Sequence, residues 1–306
     1  MDEVAPMLER ITGTTVPAHV VQSARDKYEQ IGGASPVVGI ADAICADLQR
    51  ALNERNVGET DQPSIQHVLP GMCYTEPLLE DSLMRLADAG CTRIIYLSMT
   101  AYESFAAWEG PYRRTVDAAK KLGINEVIKA PVFGSSHHYI GAQMDMIQDA
   151  LIKLQCDRLH EESATSTDGL IFVAHSLPVD DPREMSARYE QQLFAAGSKI
   201  ISNMSVPIDT SQLGYVSAGA RGGQWLTPSL DDVLKRLSMW GIKAAVICPI
   251  GFATDHMEVL YDLDIAAVQE AQGLRLAIER TPTLATAEKV HPALIAALVE
   301  SVEAVL

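Results

Sequence analysis

The chain has 306 residues, of which 47% are apolar, so it can bury a substantial core in one large domain or two ordinary ones. Its formal net charge of −16, with no long basic run, argues against a nucleic-acid partner, which needs a basic face. The sequence contains no apolar run of about 18 residues, the length that a membrane-spanning helix needs, and no signal peptide at its acidic start. The five scattered cysteines lack a C-x-x-C pair and indicate reduced, mostly buried thiols in a cytoplasmic protein.

After a helix-like opening at residues 2–11, short β-rich runs alternate with longer amphipathic stretches. Strands are predicted at residues 65–69, 93–98, 126–132, 169–174, 214–217, 244–249 and 274–278. Helices are predicted at residues 77–89, 112–122, 140–154, 182–206 and 229–240. This alternation is typical of βαβ units with parallel strands, so the predicted fold class is α/β.

A polar stretch at residues 161–168 is interpreted as a linker between two similar α/β domains. The predicted domains span residues 1–160 and 161–290, and apolar residues at helical spacing predict a last helix at 291–306 that packs back on the body. The first domain offers three strands and the second four. A βαβ domain normally begins with a strand, so we expect the first strand to be missing through truncation or a misplaced start; the alternative is a fold variant that begins on a helix.

His175 directly follows the apolar run 169–174 and precedes Ser176, Leu177 and Pro178. In open α/β sheets, ligands bind beyond the carboxyl ends of the strands. A neutral imidazole there can accept a proton from a ligand or donate a lone pair to a metal ion. The alternative is a histidine that only forms hydrogen bonds at the end of a strand.

Three carboxylates follow the predicted strand 244–249: Asp255, Glu258 and Asp262 are spaced by three and four residues. On a helix this spacing puts them on one face. Like charges so close together raise one another's pKa and favour binding of a cation or a proton. The alternative is a solvated acidic helix, although apolar Leu260 and Leu263 flank the group.

A glycine-containing loop at residues 219–228 follows another predicted strand and carries Trp225, which can pack against a flat ligand or belong to an ordinary core. Ser35 and Pro36 are expected to begin a helix as N-cap and first residue. Tyr112 lies after the predicted strand 93–98, where it can line a cleft or remain a half-buried surface residue.

Taken together, these motifs resemble those of the ferrochelatases, over nearly the whole chain. The similarity rests on five separated stretches in the same order as in that family, at residues 28–36, 71–74, 174–178, 225–228 and 249–262. In detail the chain is most similar to the actinobacterial and Gram-positive coproporphyrin III ferrochelatases. The family's first strand and its glycine-rich loop have no counterpart in this sequence.

The resemblance implies two Rossmann-like domains of the class II chelatase type, with parallel sheets and a porphyrin cleft between them. It implies insertion of ferrous iron into coproporphyrin III, giving coproheme for heme biosynthesis. By this similarity His175 and Glu258 are the catalytic and metal-binding pair, and which of them first contacts iron stays open. Tyr28, Ser35, Tyr112 and Trp225 are the predicted porphyrin contacts, and Asp255 and Asp262 form a secondary acidic path.

The expected substrates are therefore coproporphyrin III and Fe²⁺, with no permanently bound cofactor and a monomeric protein. Some relatives hold a [2Fe-2S] cluster on cysteines near the C-terminus; residues 292–306 contain no cysteine, so no cluster is predicted. Two alternatives stay open. One is a non-catalytic porphyrin-binding module, disabled by the missing first strand, and the other is a chelatase for protoporphyrin or another tetrapyrrole.

Overall fold

The computed structural model describes residues 3–55, 65–158, 168–206, 208–219, 223–287 and 291–306. They divide into two units, the first comprising Met1–Ser98, Ala106–Pro131 and Ile295–Leu306, the second Met99–Phe105 and Val132–Leu294. The predicted domain boundary at residues 160 and 161, and nearly all of the predicted linker 161–168, lie outside the described residues. The helix that precedes this boundary belongs to the second unit, because it packs on that unit's strands.

The first unit contains a two-stranded parallel sheet, in which Arg93 pairs with Glu126 and Tyr96 with Lys129. Its elements are α1 (Val4–Thr12), α2 (Ala18–Gln30), α3 (Val37–Arg55), α4 (Leu79–Asp88), β1 (Arg93–Tyr96), a π-helical turn (Phe105–Glu109), α5 (Gly110–Lys121) and β2 (Glu126–Lys129). Apolar side chains from α4, α5 and the strand region form its core: Leu79, Leu83, Ile94, Ala118, Ala119 and Ile124.

The predicted strand at residues 65–69 is wrong, because the structure leaves these residues without regular secondary structure. Within the described residues of the first unit, β1 pairs only with β2. A short apolar run becomes a strand only when a neighbouring strand takes up its backbone hydrogen bonds. Here the carbonyl of Ile65 instead accepts a hydrogen bond from the Gln49 side chain, at 3.1 Å.

The second unit is built on a four-stranded, all-parallel sheet with strand order β4-β3-β5-β6, which confirms the four predicted strands in type and order. Its elements are α6 (His137–Arg158), β3 (Asp168–His175), a 3₁₀ turn (Pro182–Glu184), α7 (Ser186–Asn203), β4 (Thr210–Val216), α8 (Leu230–Met239), β5 (Ala244–Cys248), a π-helix (Val259–Ala266), α9 (Ala267–Gly273) and β6 (Ala277–Arg280), whereas the last helix, α10 (His291–Glu303), belongs to the first unit from Ile295 onward. The expected α/β fold with parallel sheets is thus confirmed.

The central strands β3 and β5 are buried on both faces, which explains their unbroken apolar sequences. Ile171, Val173, Ala245 and Ile247 lie in the core of this unit, with apolar residues of α8 and α9 packed against them. Because both strands are buried, the positions of the residues at their carboxyl ends are fixed by the packing of the sheet.

The cysteines differ from the sequence prediction in their burial. All five are free thiols, but only Cys248 is buried, whereas Cys45, Cys73 and Cys91 are partly exposed and Cys156 is exposed. Cys45 and Cys156 lie on helices, and Cys73 and Cys91 lie on loops, whereas Cys248 ends the central strand β5. In the described part of the chain, no helix is both long and apolar enough to cross a membrane.

Candidate functional site

The candidate site of the second unit lies at the carboxyl edge of its sheet. His175 is the last residue of β3, and Ser217 directly follows β4. The chain that leaves β5 turns at residues 248–252 and then enters a helix at Met257, which places Glu258 in its first turn. Since parallel strands end at the same edge, residues from three separate parts of the sequence meet there.

The structure brings His175 and Glu258 together, although 83 positions separate them in the sequence. The Nε2 atom of His175 lies 3.5 Å from Oε1 of Glu258, and their side chains are 36% and 32% exposed. The pair is therefore held by the sheet but remains open to a ligand. An imidazole nitrogen beside a carboxylate can accept protons and bind a divalent metal ion.

The other ring nitrogen of His175 determines which tautomer faces the site. Nδ1 lies 2.6 Å from the carbonyl oxygen of Ser176. Because a carbonyl only accepts hydrogen bonds, Nδ1 carries a hydrogen and donates it. In the neutral ring, Nε2 then presents its lone pair toward Glu258, ready to accept a proton or a metal ion.

The pKa of His175 lies above its ordinary value of 6.5. Burial by itself lowers this pKa, because it disfavours the charged ring. The Glu258 carboxylate and the Ser176 carbonyl, with a smaller contribution from Asp262, raise it by more. His175 therefore binds a proton more readily than a free imidazole does.

Asp262 is the next carboxylate along the helix that carries Glu258. Residues 259–266 form a π-helix, a wide turn with hydrogen bonds between residues five apart that occurs frequently at functional sites. The hydroxyl of Ser217 donates a 2.6 Å hydrogen bond to Oδ2 of Asp262. Ser217 adopts a left-handed backbone conformation, with φ of 58°, at the point where β4 ends. The loop after β4 therefore orients this carboxylate.

Asp255 does not share a helical face with Glu258 and Asp262, so this part of the sequence prediction is wrong. It precedes the helix, is 9% exposed, and accepts a 3.0 Å hydrogen bond from Thr283. The Arg280 guanidinium lies 3.6 Å from it and also forms two hydrogen bonds with Asp264, at 2.5 and 2.8 Å. Asp255 is thus a paired, buried side chain just before the start of the helix, and its part in an acidic path stays a prediction.

Replacing Arg280 with methionine is expected to lower the free energy of unfolding by about 2–3 kcal/mol, because it leaves the buried Asp255 without its cation. Urea unfolding followed by circular dichroism measures this loss. The matched control is Arg183→Met, which removes an exposed arginine paired with Asp181 and should leave the unfolding midpoint unchanged. Equal midpoint shifts in the two variants would contradict the anchoring role.

His256 is a site residue to which the sequence interpretation gave no role. Its Nδ1 accepts a hydrogen bond from the backbone N–H of Glu258, at 3.2 Å, so it caps the helix that carries this carboxylate. Its ring packs edge-on against Phe252, with centroids 5.2 Å apart. Burial lowers the pKa of His256 below 6.5, against the opposing effect of Glu258. The signal available in the sequence was its position two residues before Glu258, within the acidic stretch 255–262.

We expect His256 to make the fold sensitive to acid. Because its pKa is lowered in the folded state, its stabilising effect is present above pH 6.5 and is lost as the pH falls through the folded pKa. His256→Asn keeps a hydrogen-bond acceptor but cannot titrate. In urea unfolding at pH 7.5 and 5.5, the stability of this variant relative to the native protein should rise at the lower pH; a relative fall would refute the capping by a neutral ring.

The predicted porphyrin contacts are distributed over both units. Trp225 lies near His175, because its backbone pairs with Pro178, and its ring lies against Gly219. Residues 220–222 of the predicted glycine loop are outside the described residues.

The other three predicted contacts lie in the first unit. The side chain of Ser35 accepts a hydrogen bond from the N–H of Val37 at 3.4 Å, and the helix begins at Val37, one residue later than predicted. The Tyr28 hydroxyl lies 3.6 Å from the sulfur of Met7. The Tyr112 hydroxyl donates to the carbonyl of Val127 at 3.4 Å, and its ring is 5.7 Å from that of Tyr96. Their roles in porphyrin binding stay predictions.

Few protein ligands are available for a metal ion at this edge of the sheet. In the parts of the chain that the structure describes, no three His, Cys, Asp or Glu side chains come close enough together to hold one. To a metal ion, the pair of His175 and Glu258 would offer one imidazole and one carboxylate.

Comparison with known proteins identifies relatives along nearly the whole chain. The sequence model described as "Ferrochelatase" matches residues 2–305. The chain is 30% identical to the coproporphyrin III ferrochelatase of Frankia alni, an alignment that covers 99% of this chain and 76% of that protein. It is 29% identical to the enzyme of the same name from Mycobacterium marinum, covering 92% of this chain and 77% of the relative. It is 27% identical to the enzyme of the same name from Corynebacterium glutamicum (strain R), covering 99% of this chain and 80% of the relative.

Solved structures of similar fold are also chelatases. CbiX, described as the terminal enzyme of siroheme biosynthesis in denitrifying bacteria, superimposes with a TM-score of 0.54 at 15% identity, covering 89% of this chain and 94% of that one. SirB from Bacillus subtilis with Fe³⁺ superimposes with a TM-score of 0.53 at 13% identity, covering 84% of this chain and 86% of that one. At these identities the similarity shows the class II chelatase fold alone.

Proposed function

The chain belongs to the ferrochelatase family, and we propose that it inserts ferrous iron into coproporphyrin III to form coproheme. The observation that carries this proposal is the 3.5 Å approach of His175 Nε2 to Glu258 Oε1 at the carboxyl edge of the sheet. The names of the relatives from Frankia alni and Mycobacterium marinum support coproporphyrin III as the porphyrin.

Insertion requires that two pyrrole N–H protons leave as the metal ion binds the four nitrogens. His175 Nε2, with its lone pair toward the open site, accepts one of these protons, and the adjacent Glu258 carboxylate stabilises the resulting charge. Asp262, oriented by Ser217, is the next acceptor along the same helix. His175, Glu258 and Asp262 together give protons a route away from the porphyrin.

The same pair would contact the incoming metal ion. Fe²⁺ binds imidazole and carboxylate ligands, and here the two residues supply one of each. Two protein ligands hold an ion weakly enough to release it to four porphyrin nitrogens. Tyr28, Ser35, Tyr112 and Trp225 are proposed to contact the macrocycle or its propionates, as the family resemblance implies.

The test is a comparison of substrates with the purified chain. Insertion of Fe²⁺ without oxygen, and of Zn²⁺ as a stable probe, is followed by absorbance with coproporphyrin III, protoporphyrin IX and sirohydrochlorin. We expect the highest kcat/KM with coproporphyrin III, whose four propionates offer twice as many anionic contacts as the two of protoporphyrin.

Other outcomes would replace the proposal. Higher kcat/KM with protoporphyrin or sirohydrochlorin would assign a different tetrapyrrole. Tight coproporphyrin binding, seen as fluorescence quenching, without insertion of either metal would favour a non-catalytic binding module. The cytoplasmic location, the monomeric state and the lack of an iron–sulfur cluster stay predictions.

A further inference from the structure

Gly251 lies where the chain after β5 passes unusually close to the end of β3. Its N–H donates a 3.0 Å hydrogen bond to the carbonyl of Val173. A Cβ atom at position 251 would lie 2.6 Å from Cβ and 2.7 Å from Cα of Ala174, and 3.2 Å from the hydroxyl oxygen of Tyr189. Carbon atoms in favourable contact are about 3.5–4.0 Å apart, so no side chain fits here.

The requirement for glycine is steric. The backbone of Gly251 is not in the left-handed region, so any residue could adopt its conformation. The obstacle is the backbone of Ala174, which cannot rotate away as a flexible side chain would. Tyr189 is 4% exposed, which limits movement on its side as well.

This contact joins the two chain segments that carry the members of the candidate site. Ala174 immediately precedes His175, and the segment that begins at Gly251 leads to Glu258. That segment is also held elsewhere, through the pairing of Asp255 with Arg280 and the hydrogen bond from Ser217 to Asp262. Glu258 is therefore unable to follow if the end of β3 is pushed aside.

We propose that Gly251 is a positioning residue whose missing side chain sets the separation of His175 and Glu258. This role is a detail of the proposed metal insertion. Only the kinetic part of the test depends on that proposal. Misplacement of a catalytic group by about 1 Å can lower a rate about 10²-fold. Gly251→Ala is therefore expected to act on kcat and not on the affinity for the porphyrin.

The experiment measures Zn²⁺ insertion into coproporphyrin III by Gly251→Ala, porphyrin binding by fluorescence quenching, and the crystal structure of the variant. We expect kcat to fall about 10- to 100-fold with an unchanged porphyrin Kd. In the crystal structure, the distance from His175 Nε2 to Glu258 Oε1 should exceed the present 3.5 Å.

Gly169→Ala is the matched control, since Gly169 lies at the opposite end of the same strand. A Cβ atom there would meet Cδ1 of Leu237 at 3.2 Å and Cβ of Ala245 at 3.4 Å. This variant also crowds the sheet, but it does so far from His175. We expect this variant to have a lower melting temperature but native kcat. This result would show that crowding in the sheet by itself does not lower the rate.

A second variant covers the case in which Gly251→Ala does not fold. Ala174→Ser adds one atom to the same contact and should lower kcat in the same direction by a smaller factor. Native kcat in either folded variant, or an unchanged distance between His175 and Glu258, would overturn the inference. If the native chain inserts no metal, the proposed function fails, while the distances in the crystal structures still decide the role of Gly251.

Discussion

Replacing His175 with alanine is expected to lower kcat for metal insertion into coproporphyrin III about 10³-fold, as for the loss of a general base. The variant removes the Nε2 atom that faces Glu258 and with it one of the two proposed metal ligands. The side chain is 36% exposed, so the fold should persist. Absorbance assays with Zn²⁺ and Fe²⁺ give the rates, and fluorescence quenching shows whether the porphyrin still binds.

His137→Ala provides the matched control, because this histidine is exposed at the start of α6 and has no place in the proposed chemistry. It should retain the native rate. Near-native turnover by His175→Ala, in a folded protein that binds the porphyrin, would exclude His175 from the reaction.

Glu258→Gln is expected to lower kcat about 10²-fold and, independently of activity, to lower the pKa of His175. The carboxylate is the largest influence that raises this pKa, whereas burial lowers it and would remain. NMR titration of the His175 ring measures the change directly. The acid limb of the pH–rate profile should move with it, because only the unprotonated ring accepts a proton.

The raised pKa of His175 also makes the free energy of unfolding depend on pH. A histidine with a raised pKa stabilises the fold below its unfolded pKa and loses that contribution as the pH rises through its folded pKa. Glu258→Gln should therefore be relatively less stable at pH 6 than at pH 8. Asp262 and His256 also face the pair and remain in both proteins.

The control for Glu258→Gln is Asp264→Asn, on the same helical segment. Asp264 pairs with Arg280, so its loss removes one negative charge without touching His175. The His175 pKa should stay at its native value in this variant. If both variants leave this pKa unchanged, the coupling between His175 and Glu258 is refuted.

Two local features of the sequence were sufficient to locate the centre of the site. A continuous apolar run predicts a buried parallel strand, and a histidine at its end must then lie at the carboxyl edge of the sheet. His175 was singled out in this way, whereas its pairing with Glu258 was what the resemblance to the ferrochelatases implied. The alternation of strands and helices likewise predicted the parallel sheet and its four strands in the second unit.

Other features depended on contacts between distant residues. Periodicity placed Asp255 on a helical face, but Arg280 and Thr283, more than 20 positions away, hold it as a buried anchor. The capping by His256 depends on where the helix begins. The run 65–69 is not a strand, because no strand in the described part of the chain pairs with it.

The sequence by itself thus determined the fold class and the family and pointed to the two residues of the candidate site, because these follow from local hydrophobic patterns and ordered motifs. Only the tertiary structure decided that Gly251 must lack a side chain, that Asp262 is oriented by Ser217, and that Asp255 is paired with Arg280. Each of these depends on a distance between atoms far apart in the chain, and spacing along a sequence carries no such distance.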